Sequence, residues 1–153
     1  MNGDNKFMRC LGFTLEWETG GDMINGGLND HPADPGGLTK WGFASKFWPN
    51  EDVRNMSVER AIELYYLHYY SQPKVNELEP LGLAIAHFDS LVNHSPKTAK
   101  QFLKDSGGDW KTYMQLRKDW MGKTQKPEFV KGAIRRCVEL HKYIDTVVAD
   151  ANT

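Results

Sequence analysis

Residues 15–43, LEWETGGDMINGGLNDHPADPGGLTKWGF, constrain this chain more than any other stretch. An apolar pattern at Phe7, Leu11 and Leu15 runs into Glu16, Trp17 and Glu18 and stops at Gly20-Gly21. Some twenty residues rich in Gly, Asn, Asp and Pro follow before Trp41-Gly42-Phe43 restores apolar content. Loops of this length inside a compact chain are usually either functional or disordered. Tryptophans at both ends argue for order, so the stretch is expected to border a functional site.

The rest of the chain reads as helical. Residues 6–18 form a first helix closed by Gly20-Gly21, since a left-handed residue at a helix end is commonly glycine. The turn signals Asn25-Gly26-Gly27 and Asp34-Pro35-Gly36-Gly37 predict at most a small irregular β-hairpin region within residues 22–43. A short helix over 43–48 is expected, broken by Pro49. Ser57 caps a helix of about 58–70, with Glu59 in its first turn. Leu81, Ile85, Phe88 and Val92 give the cleanest helical period and predict a central core helix ended by His94-Ser95-Pro96. A short helix through Ala99, Phe102 and Leu103 follows. Asp109 caps another, with Tyr113, Leu116 and Trp120 on one face, and residues 122–126 form a break. Pro127 opens a long last helix carrying Val130, Ala133, Cys137, Leu140, Ile144 and Val147. The expectation is one mainly α domain with a small β-hairpin or loop region.

At 153 residues, the chain is long enough to bury a real core. No apolar run has membrane-spanning length, and the first ten residues lack the order of a signal peptide, so a cytoplasmic location is expected. Cys10 and Cys137 fall within helical apolar patterns and read as buried free thiols. Charge is divided unevenly: residues 1–96 carry 7 Lys/Arg and 13 Asp/Glu, whereas residues 97–142 carry 12 and 5. A basic half can attract an anionic polymer through its field, or it can be a set of solvated helix faces. No nucleic-acid module is recognisable.

Candidate chemistry concentrates in the opening stretch. The five histidines form no zinc motif, and no phosphate loop or nucleophile elbow is present. Carboxylates remain. Glu18 lies in the last turn of a helix, at the negative end of its dipole and next to Trp17, and both the dipole and loss of water raise its pKa. A carboxyl still protonated near neutral pH suits a general acid for a glycosidic oxygen. Glu16 points about 200° away on the same helix and cannot share a cleft with it. The plain alternative is that both are surface glutamates. Asp34 and Thr39 flank a Pro-Gly-Gly turn that returns the chain past the helix end. They can hold the attacking water that a glycosidase needs opposite its acid, or Asp34 can simply cap its own turn.

Glu18-Thr19-Gly20-Gly21, and then the run from Asn29 to Phe43 with Asp34-Pro35-Gly36-Gly37-Leu38-Thr39 at its centre, resemble the signature of glycoside hydrolase family 108. Phe88-Asp89, Val92-Asn93 and Ser95-Pro96 resemble that family's Phe-Asp-x-x-Val-Asn-x-Gly-Pro helix. Tyr113, Arg117, Phe129, Lys131-Gly132 and Arg135-Arg136 are similar to its C-terminal part. The resemblance implies a single lysozyme-like domain over 1–153, catalytic in about 1–96 and helical in about 97–153, where peptidoglycan can bind. It implies an N-acetylmuramidase of the kind found among phage endolysins. Such an enzyme cleaves the β-1,4 bond between N-acetylmuramic acid and N-acetylglucosamine, with Glu18 as acid and Asp34 and Thr39 opposite. Trp41, Tyr69, Tyr70 and Trp120 are then the candidate walls of the sugar cleft, and Asn93 is a candidate to bond an N-acetyl group. No cofactor or metal is expected. The partners expected are peptidoglycan glycan strands and a holin or other release system, with no nucleic acid, no membrane insertion and a monomeric state. The protein would wait in the cytoplasm and act in the periplasm or cell wall. The alternatives are a lytic transglycosylase and a non-enzymatic wall-binding or phage-tail module.

Overall fold

The computed structural model describes residues 4–31 and 37–151. Six helices carry the chain: α1 (Asn5–Thr19), α2 (Val58–Tyr65), α3 (Leu81–Asn93), α4 (Pro96–Asp105), α5 (Trp110–Thr124) and α6 (Pro127–Ala151). A two-stranded antiparallel hairpin, β1 (Thr39–Lys40) with β2 (Phe43–Ala44), is the one sheet among the described residues.

Local chemistry sets the helix ends. Asp4 accepts the Phe7 amide to open α1, and Gly20 closes it in the left-handed region at φ 63°, returning its amide to the Glu16 and Trp17 carbonyls. Ser57, Ser95 and Asp109 cap α2, α4 and α5 through their side chains. After Tyr65 the backbone widens into a π-helical turn over Tyr66–Ser71, so the helix expected over 58–70 is continuous in direction but changes its hydrogen bonding. Two other expectations shift. Phe43 belongs to the hairpin, not to a short helix, and residues 45–50 form turns. α5 continues through Gly122 to Thr124, because a single glycine lowers helix preference without ending it.

α3 is the centre of the molecule. Residues 82–91 are buried throughout, and α1, α4, α5 and α6 pack around them. A helix surrounded on all sides should be apolar all round, and α3 nearly is, with His87, Asp89 and Ser90 as the exceptions. Asp89 is fully buried. Its carboxylate accepts Thr14 Oγ1 of α1 at 2.8 Å, Arg117 Nη1 of α5 at 2.8 Å, and Arg136 of α6 through Nη2 at 2.8 Å and Nε at 3.2 Å. One side chain therefore ties three helices to the fourth. Burial would push the Asp89 carboxyl up, but the two guanidinium groups hold it well below the ordinary carboxylate range.

Removing one partner of such a cluster leaves buried charge uncompensated, so Asp89→Asn is expected to cost about 3–5 kcal/mol in urea unfolding. The sign with pH also follows. The folded carboxyl titrates below the unfolded one, so its stabilisation is complete above the ordinary aspartate range and fades as pH falls through it. Asp89→Asn should flatten that acid limb.

Candidate active site

The hairpin lies against the C-terminal end of α1, and the contact is close. A Cβ placed on Gly42, at φ 85°, would lie 3.0 Å from Glu18 Cβ and would strike the Tyr65 hydroxyl. That hydroxyl donates to the Trp41 carbonyl at 2.6 Å, fixing the hairpin turn to α2. Gly27 approaches from the preceding loop, where a Cβ would fall 2.8 Å from the Thr19 carbonyl. Glycine is required at both positions by φ and by space together.

Glu18 is thus enclosed by the hairpin turn, Tyr65 and α6. Its side chain keeps about 21% of its surface, and Arg136 Nη2 donates to Oε1 at 3.2 Å. The same nitrogen donates to Asp89, so one guanidinium is shared between the core carboxylate and Glu18. Burial raises the Glu18 pKa. The positive charge of Arg136 pulls it down, the negative charge of Asp89 pushes it up, and the balance stands above the ordinary glutamate value. Tyr69 is half-buried nearby, and both burial and the Glu18 charge raise its hydroxyl pKa.

A groove of about 440 Å³ adjoins this carboxyl on the side of Arg136. Trp17, Asn93, His94, Phe129 and Arg136 contribute to its walls. His94 Nε2 accepts Arg117 Nε at 3.1 Å. Burial and the Arg117 charge lower its pKa to about 4, keeping the imidazole neutral at physiological pH. Among the described residues, no group of three or more His, Cys, Asp or Glu is arranged to hold a metal ion, and no helix is long and apolar enough to cross a membrane.

The sequence-based candidates divide. Glu18 and Tyr69 lie together, Asn93 is exposed on the adjoining groove, and Thr39 sits on the hairpin. Thr39 pairs with Ala44 and bridges to Asn29 through two backbone hydrogen bonds of 2.8 and 2.9 Å. Its hydroxyl leans towards the Gly37 carbonyl at 3.4 Å. Asp34 falls outside the described residues. Trp41 and Tyr70 correct the expectation of sugar-facing rings, because both are interior. Trp41 is 3% exposed, donates Nε1 to the Met56 carbonyl at 2.9 Å, and lies so close over Gly26 that a Cβ there would meet the ring at 2.5 Å. Tyr70 is packed with Phe7 and Tyr66 and donates its hydroxyl to Asp4.

The electrostatic partners of Glu18 are what the motif reading passed over. Arg117 stands four residues from both Tyr113 and Met121, and Arg136 falls between Ala133 and Leu140, so both occupy inward positions of apolar stripes. A charged residue in such a register was the available signal.

A helical body carrying one small hairpin against the end of its first helix is a mainly α, lysozyme-like architecture. Residues 12–95 match the sequence model of glycosyl hydrolase 108. The match spans more than half of the chain, and the chain belongs to that family: it is a glycoside hydrolase. No curated protein and no solved structure matches it. Arg117 and Arg136 lie beyond the matched residues.

The Glu18 carboxyl is expected to titrate above the usual glutamate range when followed by carboxyl carbon NMR. Arg136→Gln removes its main opposing charge and should move that titration further up. A downward movement would contradict the electrostatic balance described here.

Proposed function

We propose that the protein is an N-acetylmuramidase that hydrolyses the β-1,4 bond between N-acetylmuramic acid and N-acetylglucosamine in peptidoglycan. One observation carries the reading: a carboxyl in the last turn of α1, mostly withdrawn from water, with a pKa raised by burial. Its ion-pair partner among the described residues is Arg136, and that guanidinium is already committed to Asp89. The raised pKa favours the protonated form, and the exposed fraction lets the carboxyl reach a ligand. Glu18 gives that proton to the glycosidic oxygen as the bond to the anomeric carbon lengthens. Water held by Thr39 and Asp34 attacks the oxocarbenium-like carbon and gives its proton to the Asp34 carboxylate, with Asp34 assigned from its place in the sequence motif. The carboxylate left on Glu18 is then met by Arg136, which stabilises the charge that develops during the reaction.

Tyr69, near Glu18, and Asn93, on the adjoining groove, are the side chains proposed to meet the sugar. The biological setting proposed with this activity is a phage or prophage endolysin, held in the cytoplasm until a holin or another route admits it to the wall. That setting rests on the family resemblance.

Glu18→Gln keeps the shape of the side chain and removes its transferable proton. It is expected to lower the rate of sacculus digestion by roughly 10²–10⁴-fold while leaving the helical circular dichroism spectrum intact. Mass spectrometry of the wild-type digest should show reducing muramic acid ends. Anhydro ends, lighter by one water, would identify a lytic transglycosylase instead, and full activity of Glu18→Gln would remove Glu18 from the acid role.

A further inference from the structure

A second groove lies on the other side of Trp17 from the one beside Arg136. About 710 Å³ in volume, it runs between the end of α1 and the second half of α6, where Phe13, Trp17, Arg135, Glu139, Lys142 and Tyr143 line it. This size lies within the range of small-ligand sites. Trp17 also lines the groove next to Arg136, so its indole is a wall common to both.

The sequence makes this adjacency. Successive residues on a helix point about 100° apart. Trp17 and Glu18 are chain neighbours on α1, as Arg135 and Arg136 are on α6. One member of each pair turns to the acid site: Arg136 Nη2 meets Glu18 Oε1. The other member of each turns to the second groove, where the Arg135 guanidinium stands over the Trp17 ring at 5.9 Å. Phe13 stacks on the same indole, with centroids 5.8 Å apart and an interplanar angle of 27°. Further along α6, Lys142 and Glu139 form an exposed pair at 3.5 Å.

A glycan stripped of its peptides carries only the lactyl carboxylate of each muramyl sugar, a single negative charge close to the ring. A peptide-bearing muramyl sugar carries charge of both signs further out, because its lactyl group bears a short peptide with free carboxylates and, at a diamino acid, a free amine. That peptide branches from the ring whose glycosidic bond is cleaved, so it must leave the acid site over a neighbouring wall. Groups of both signs, with an aromatic floor, complement such a zwitterionic chain.

We propose that the α1–α6 groove is the subsite for the stem peptide of peptidoglycan, with Arg135 and Lys142 receiving its carboxylates and Glu139 its amine. The proposal deepens the muramidase reading and rests on it for the position of the sugar. The glycan passes Glu18, the branch crosses Trp17, and the peptide lies along α6.

The test compares glycan strands bearing their stem peptides with the same strands stripped by an amidase. Wild-type protein should prefer the peptide-bearing strands, and Arg135→Ala/Lys142→Ala should reduce that preference about tenfold, as expected for two exposed ion pairs. Both substitutions are at exposed side chains, and thermal unfolding checks that the double variant is folded. A second measurement follows the Trp17 indole NH by NMR during titration with free stem peptide. It should shift saturably in the wild type and not in the double variant. Equal rates on the two substrates, or a preference unaltered in the variant, overturns the subsite. Cleavage of neither substrate overturns the muramidase reading, and the indole titration then decides the groove by itself: no saturable shift overturns it.

Discussion

A carboxylate buried beyond the reach of water is tolerable only when other groups replace the water it has lost. Asp89 has four such contacts: one hydroxyl hydrogen bond and three from two guanidinium groups, delivered by helices on different sides of α3. Well-packed apolar residues often provide as much stability as a buried ionic cluster. The cluster's distinguishing property is direction. Each arginine has a planar fork that must meet the carboxylate in one orientation, so α5 and α6 are fixed in rotation as well as in distance.

That orientation is what reaches Glu18. The Arg136 guanidinium is held mainly by the core and touches Glu18 with its remaining capacity, Nη2 lying 3.2 Å from Glu18 and 2.8 Å from Asp89. The carboxyl therefore gains an electrostatic neighbour without being locked into a full ion pair. Burial, a partial counter-charge and a more distant like charge together leave the proton more firmly held than on a surface glutamate. His94, neutral and bonded to Arg117, joins the network to the adjoining groove. The acid site and the core are parts of one charged structure.

The helical architecture was legible because its signals are local. Caps at Asp4, Ser57, Ser95 and Asp109, glycine after α1, and the four-three-four spacing on α3 each act within a few residues. The place of Glu18 at a helix end before a glycine pair was legible for a similar reason. The partners were not, because Glu18 and Arg136 are 118 positions apart and nothing in a linear pattern pairs them. The aromatic residues failed differently. Trp41 and Tyr70 have the chemistry of sugar platforms, but Trp41 was claimed by a close-approaching glycine and a backbone acceptor, and Tyr70 by neighbouring rings and Asp4. Side-chain type alone cannot separate an amphipathic ring that lines a cleft from one that fills a core.

The separation of Glu18 from Arg136 along the chain also has a meaning in time. Synthesis proceeds from the amino end, so the carboxyl, the hairpin turn and Asp89 all leave the ribosome well before either arginine that balances them. Until α6 arrives, Asp89 lacks the two contacts that Arg136 supplies, and Glu18 lacks its guanidinium neighbour. The Glu18–Arg136–Asp89 cluster thus cannot close until α6 has been translated past residue 136.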